Sequence, residues 1–259
     1  MNDLISVIIT THHEPIYILE KCLNSLNEQT YDNCEFIIVN DDSQVDGCKE
    51  FLDYYVKTHD RFSVTHCNKN QGFIKSKNLG SVLARGKWIS FVDADMTLKY
   101  DFYEYAIKTA DKHDDCWMVY GKIYHYQEGN NILEYQPIGT LTFGDDVLYW
   151  PMIGPAILLR QYVVDSGYYP NEDVSDNELF VNVCLLSLMR NTKQYWIEDP
   201  VDEAWNIHFQ GFTDKVHCFE NKSISICSNM SEESKKDYQN ASQKACRHAC
   251  DRLFKKYKL

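Results

Sequence analysis

The chain has 259 residues, 44% hydrophobic and 14% aromatic, which is enough to fill one large α/β domain and excludes a fibrous or globally disordered protein. Its 26 Lys and Arg against 38 Asp and Glu give a formal charge of -12, which sets the average surface against nucleic acid. Any site for an anionic ligand then needs a cation or a focused basic cluster.

Leu4 to Thr10 is a near-continuous β-branched run, the mark of a strand covered on both faces. Pro15 opens a helix with Ile18, Leu19, Cys22, Leu23 and Leu26 at helical spacing. Glu35 to Val39 predicts a second strand, ending in the polar cluster Asn40-Asp41-Asp42-Ser43. Phe51, Leu52, Tyr55 and Val56 predict a helix, Phe62 to His66 a short strand, and Ile74 to Ala84 a further helix. Trp88 to Val92 predicts a strand that runs directly into Asp93-Ala94-Asp95, with a helix at Phe102 to Ala110 behind it. This alternation means right-handed crossovers and a mostly parallel sheet.

The rhythm breaks after Asp111. Trp117 to Gln127 and Ile132 to Tyr135 predict a hairpin, so the sheet becomes mixed. Residues 136 to 175 lack periodicity apart from Ala156 to Leu159. Ser175 to Glu178 fits a capping box, Tyr195 to Ile197 a strand, and residues 202 to 234 a loop or lid. From Lys235 to Leu259, eight Lys or Arg stand against two Asp on an amphipathic pattern. Two readings stand for it: a helix docked on the acidic body, or a peripheral membrane or partner contact. Ten cysteines without a CxxC pair, a first apolar run too short for a signal peptide and no 18-residue apolar stretch point to a reduced cytoplasmic chain.

Asp41, Asp42, Asp93 and Asp95 lie at strand ends, on the sheet edge where open α/β folds bind ligands. Oxygen ligands beside a diphosphate suit Mg²⁺ or Mn²⁺, acting as a Lewis acid on the leaving group. An Asp-x-Asp triplet alone is also an ordinary polar turn. The rigid strand before it raises its value. Asn70-Gln71-Gly72 and Lys75 to Gly80 form a loop-to-helix junction whose lysines can reach phosphate. The absence of GxxxxGK[ST] and GxGxxG counts against a P-loop enzyme or a dinucleotide oxidoreductase. Asp41 fits either a pyrimidine contact or a turn, and Asp176 either a general base or a plain helix-terminal residue. His12, His13 and His208 fit metal, donor or structural roles.

Val7 to His12, Cys22 to Tyr31, Glu35 to Ser43, and the run from Asn70 through Gly80, Ala84, Gly86 and Trp88 to Asp95 together resemble the family 2 glycosyltransferases. The likeness thins to Gly154-Pro155-Ala156, Gly167-Tyr168-Tyr169 and Ser175 to Phe180. It implies a GT-A fold, a nucleotide-sugar donor, usually UDP-linked, and inverting transfer to a hydroxyl of a glycan or related acceptor. Thr10, His12, Glu14, Asp41 and Lys77 would then line the nucleotide. Asp93, with Ala94, would meet ribose or donor phosphate, Asp95 would ligate the metal, Asp176 would be the base, and His208 a second metal ligand. Residues 1–97 would be the nucleotide-sugar half, 98–234 the acceptor half, and 235–259 the basic helix. Three departures stand out: Asp42 where the family has Gly, Lys77 where it has Arg, and Ser175 where it has Glu. The rival readings are a noncatalytic nucleotide-sugar or glycan-binding module and, behind it, a sugar nucleotidyltransferase. The latter lacks its glycine-rich triphosphate loop here.

Overall fold

The structure, a computed structural model, describes residues 3–43, 45–121, 123–127, 131–135, 156–165, 193–197 and 206–210. The capping box at Ser175, the base candidate Asp176 and the basic segment 235–259 lie outside the described residues, as does most of 202–234.

The front of the chain alternates as predicted. β1 (Ile5–Thr11), α1 (Ile16–Asn27), β2 (Cys34–Asn40), α2 (Cys48–Thr58), β3 (Phe62–His66), α3 (Phe73–Leu83) and β4 (Trp88–Asp93) follow one another. Behind them come β5 (Met96–Leu98), α4 (Phe102–Ala110), β6 (Cys116–Tyr120), β7 (Ile123–Gln127), β8 (Asn131–Tyr135), β9 (Ala156–Leu159), α5 (Arg160–Asp165), β10 (Lys193–Trp196) and β11 (Asn206–Gln210).

Seven strands form the central sheet in the order β10-β6-β9-β4-β1-β2-β3. β1, β2, β3 and β4 pair in parallel, as does β10 with β6, while β9 runs antiparallel between β4 and β6. The sheet is therefore mostly parallel and partly mixed. β1 shows why it needs cover on both sides. Ile5, Val7 and Ile9 join the core made with Leu19, Leu23, Phe36, Phe102 and Ala106, while Ile8 joins a second core with Ile37, Ile89, Trp117 and Tyr162. Successive side chains alternate between faces, so a run apolar at nearly every position, with Ser6 Oγ hydrogen-bonded to Glu35, satisfies both. Each such fully buried aliphatic side chain contributes roughly 1.5–3 kcal/mol.

α3 lies close against β1. A Cβ built on Gly80 would sit 2.3 Å from Ile8 Cγ2, and that branched side chain has little room to yield. The close approach draws the preceding turn of α3, with Lys77, down toward the strand ends.

Two sequence expectations change: the single strand over 117–127, and the loop or lid over 202–234, which holds β11. The apolar stretch 117–127 is not one strand: it breaks at Gly121 into β6 of the central sheet and β7 of a second, four-stranded sheet ordered β5-β11-β7-β8. The hairpin itself is present, as β7 and β8, antiparallel from Ile123↔Tyr135 to Gln127↔Asn131. The short β5 and the strand β11 add to the elements that the sequence pattern predicts. Among the described residues no helix is long and apolar enough to cross a membrane.

Candidate nucleotide and metal site

Parallel register brings the strand ends to one edge. Thr10 pairs with Val39 on one side and Asp93 on the other, Thr11 pairs with Asn40, and Asn40 pairs with His66. Just past these positions lie His12, Asp41 and Asp95. Of the residues expected at the donor, Thr10, His12, Glu14, Asp41, Lys77, Asp93, Ala94 and Asp95 thus share one end of one sheet.

Asp41 is 3% exposed, and its carboxylate accepts from two backbone amides, Gln71 N–H to Oδ1 and Gly72 N–H to Oδ2, each at 2.8 Å. It ties the β2 turn to the loop ahead of α3. Two charge-assisted bonds hold it there, and each oxygen retains a further lone pair. Asp42 has φ +55°. The turn is therefore as left-handed as a glycine would make it, with Asp, one of the few side chains that tolerate the conformation, in the glycine's place. Gly72, at φ +87°, makes the corresponding turn into α3.

Glu14 is buried and turned inward, accepting from Thr11 Oγ1 at 2.7 Å and from the His12 amide at 2.8 Å. It shapes the β1–α1 connection. His12 is half-buried, with its Nε2 against Asn70 Nδ2, so the β1 end also reaches the loop that Asp41 holds.

Lys77 Nζ lies 3.3 Å from Asp93 Oδ1, with side chains 9% and 27% exposed, and it also lies over the Phe73 ring. In this geometry its charge offsets Asp93. Asp95, 1% exposed, belongs to the two-residue turn that carries the chain from β4 into β5, hence from one sheet to the other. That bend explains why two carboxylates one residue apart differ so much in burial. Below them Cys22 Sγ lies 3.8 Å from the Asp93 carbonyl. Burial first, and then the fields of Asp95, Glu14 and Asp93, push its thiol well up, so it stays protonated and inert.

β5 is held from the front of the chain. Ser25 Oγ accepts from the Leu98 amide at 3.1 Å. Gln29 donates to the Lys99 carbonyl at 2.7 Å and accepts from the Tyr103 amide at 3.2 Å, and the Thr30 amide donates to the Tyr100 carbonyl at 2.8 Å. Sequence reasoning assigns Ser25 and Gln29 no role of their own, although they fall inside the block Cys22 to Tyr31. From the other side, β11 pairs antiparallel with β5, setting His208 opposite Met96, the residue after Asp95.

Among the described residues no group of three or more His, Cys, Asp or Glu side chains forms a metal cage. Mg²⁺-like ions commonly take one or two protein carboxylates and complete their shell with phosphate and water. The hard oxygen donors of the Asp93–Asp95 turn fit such an ion.

The chain is similar to known proteins over this same region. It is 32% identical over 130 residues to the glycosyltransferase GlyG of Streptococcus pneumoniae, an alignment covering 50% of this chain and 42% of that one. It spans about a third to a half of the length of GlyG and of two other curated glycosyltransferases that it matches at 30–38% identity. Among solved structures, TarS of S. aureus in complex with UDP-GlcNAc superposes with a TM-score of 0.63 at 19% identity, over 97% of this chain and 73% of that one. GalNAc-T7 with UDP, GalNAc and Mn²⁺ gives 0.63 at 17% identity, over 80% and 43%. These likenesses share the fold, the GT-A arrangement. The description "Glycosyl transferase family 2" matches residues 6–164, more than half of the chain and every described donor-side residue, so the chain belongs to glycosyl transferase family 2.

Proposed function

We propose that this chain moves a sugar from a UDP-linked donor to a hydroxyl of a glycan or related acceptor, with inversion at the anomeric carbon. The observation that carries this reading is the convergence of Thr10–His12, Asp41 and Asp93–Asp95 on one sheet edge, within a family 2 chain. In this proposal residues 1–97 form the donor half, 98–234 the acceptor half and 235–259 a basic helix.

The base of the nucleotide lies against the His12 and Asp41 segments. Glu14 keeps the β1 loop in shape, and Asp41 keeps the Gln71–Gly72 loop closed over the site. Lys77 and Asp93 face ribose and phosphate, with Ala94 between Asp93 and Asp95 too small to obstruct them. Asp95 would hold Mn²⁺ or Mg²⁺. The β5–β11 register supports His208, opposite Met96, as a further ligand. Such an ion, when bound, supplies positive charge to the diphosphate leaving group. The acceptor oxygen attacks the anomeric carbon as the bond from that carbon to the diphosphate oxygen breaks. Its proton passes to Asp176, in the role of base that the resemblance implies for it. A cytoplasmic location, supported by the free thiols of Cys22, Cys34, Cys48, Cys67 and Cys116, and a peripheral membrane contact through 235–259 complete the proposal.

Calorimetric titration with UDP, GDP, CDP and dTDP, each with Mn²⁺ and with chelator, tests it on wild type and Asp95→Ala. The expected result is UDP binding that needs both Mn²⁺ and Asp95. Folded protein that binds none of these nucleotides overturns the reading and leaves a noncatalytic glycan-binding module in its place.

A further inference from the structure

A polar chain runs into the nucleotide turn from the side of the sheet away from Asp93. Asn40, the last residue of β2, is buried, and its carbonyl accepts from the Cys67 amide at 2.8 Å. Its side-chain Oδ1 accepts from the Ser43 amide at 2.9 Å, and its Nδ2 lies 3.0 Å from His66 Nδ1. His66, the last residue of β3, has its Nε2 3.1 Å from Asp53 Oδ1 on α2. The side chains of His66 and Asp53 are 21% and 46% exposed.

The partners assign the protons. The Ser43 amide only donates, so the Asn40 oxygen faces it and the Asn40 NH₂ faces His66. His66 Nδ1 must then accept, which places the ring proton on Nε2, where Asp53 receives it. Each link has a single workable orientation, so α2 and β3 together dictate the rotamer of Asn40. The β2–β3 ladder ends at Asn40↔His66, and the Ser43–Asn40 bond brings the chain back after the left-handed step at Asp42. Between its two ends sits Asp41, with its two loop amides.

We propose that His66, acting as a neutral acceptor anchored by Asp53, is a positioning residue for nucleotide binding: through Asn40 it sets the Asp41–Ser43 turn against which the base rests. The proposal depends on the donor reading above, since it concerns how that site is held. A ring with a proton on both nitrogens, or a side chain with no acceptor, meets the Asn40 NH₂ donor to donor or with nothing. The amide then turns, Ser43 loses its acceptor and the turn opens.

The test is calorimetric binding of UDP with Mn²⁺ to full-length wild type, His66→Leu, His66→Gln and Asp53→Ala, with a melting temperature for each. His66→Leu is expected to weaken UDP about tenfold. His66→Gln, whose carbonyl can accept from Asn40 and whose NH₂ can reach Asp53, should recover to within about threefold of wild type. Asp53→Ala changes only an exposed side chain, so it reports on the relay even where His66→Leu folds poorly, and it should lose about threefold. Wild-type affinity in Asp53→Ala, or a His66→Gln no better than a folded His66→Leu, overturns this proposal while leaving the donor site standing. If wild type itself binds no nucleoside diphosphate, the donor reading falls first and this proposal with it.

Discussion

Replacing Asp41 by Asn removes one charge and almost no volume, yet the structure makes it a damaging change. Both carboxylate oxygens accept a backbone N–H at 2.8 Å. An amide offers one oxygen and one NH₂, so one of the amides of Gln71 and Gly72 is left facing a donor. Hydrogen bonds to a charged acceptor contribute about 1.5–3 kcal/mol each. The Asp41→Asn variant would lose one outright and reduce the other to a neutral bond, for a net cost of at least about 2 kcal/mol. Asp41→Ala loses both bonds, but the space it opens lets water reach the two half-buried amides, which brings it to a similar cost. The expected outcome is that Asn is no better than Ala. In urea denaturation, with a slope of about 2 kcal/mol/M, either variant should lower the midpoint by about 1 M. UDP affinity should fall at least tenfold in both, because in the proposed site the loop and the base share this carboxylate. If Asp41→Asn keeps wild-type stability while Asp41→Ala does not, the two-amide bridge is not what Asp41 provides, and the reasoning fails.

Two other outcomes follow from the same geometry. Burial pushes Glu35 up, but hydrogen bonds from Ser6 Oγ and the Arg85 amide, then from the Arg85 guanidinium, hold it below the ordinary value of 4.5. A carboxylate held down in the folded state adds stability that is present above its unfolded value and lost as pH falls through the folded one. Glu35→Gln should therefore cost about 1 kcal/mol near neutral pH, where the exposed Arg85 limits the effect, and less at pH 3, as read by denaturation at both pH values. Asp42→Gly should stabilise the fold by about 0.5–1 kcal/mol, since φ +55° costs glycine less than it costs even Asp, and a rise in melting temperature would show it.

Much of this was legible in the sequence, and the exceptions share a cause. β1 to β4 and α1 to α4 carry clean periodicities, so Phe62–His66 and Phe102–Ala110 emerged with the boundaries the structure gives. β5 has three residues, too few for any period to register. β6 and β7 read as one strand because aromatic and apolar residues flank Gly121 on both sides, and only pairing tells the two sheets apart. At the site, the carboxylates stood out as residue types at strand ends. The clamp of Ser25 and Gln29 on β5, and the relay from Asp53 through His66 to Asn40, did not. Each joins residues distant in the chain, brought together by register and helix packing, which a linear pattern does not encode.

The antiparallel pairing of β5 with β11 has a consequence for insertions and deletions. Asn206↔Leu98, Ile207↔Thr97 and His208↔Met96 form a ladder of three pairs that closes a loop of more than a hundred residues. Closure entropy grows only slowly with length, so residues can be gained or lost in the connections between the elements of this stretch at small thermodynamic cost. Displacement of β11 along β5 by one position is different: it sets Ile207 or Phe209 across from Met96, and a slip of one residue exchanges the two faces of a strand. The length of the connections between β5 and β11 is thus freer to drift than the phase of β11 against β5. A deletion within β11 should disable the neighbourhood of Asp95, whereas an insertion between β8 and β9 leaves the ladder in step.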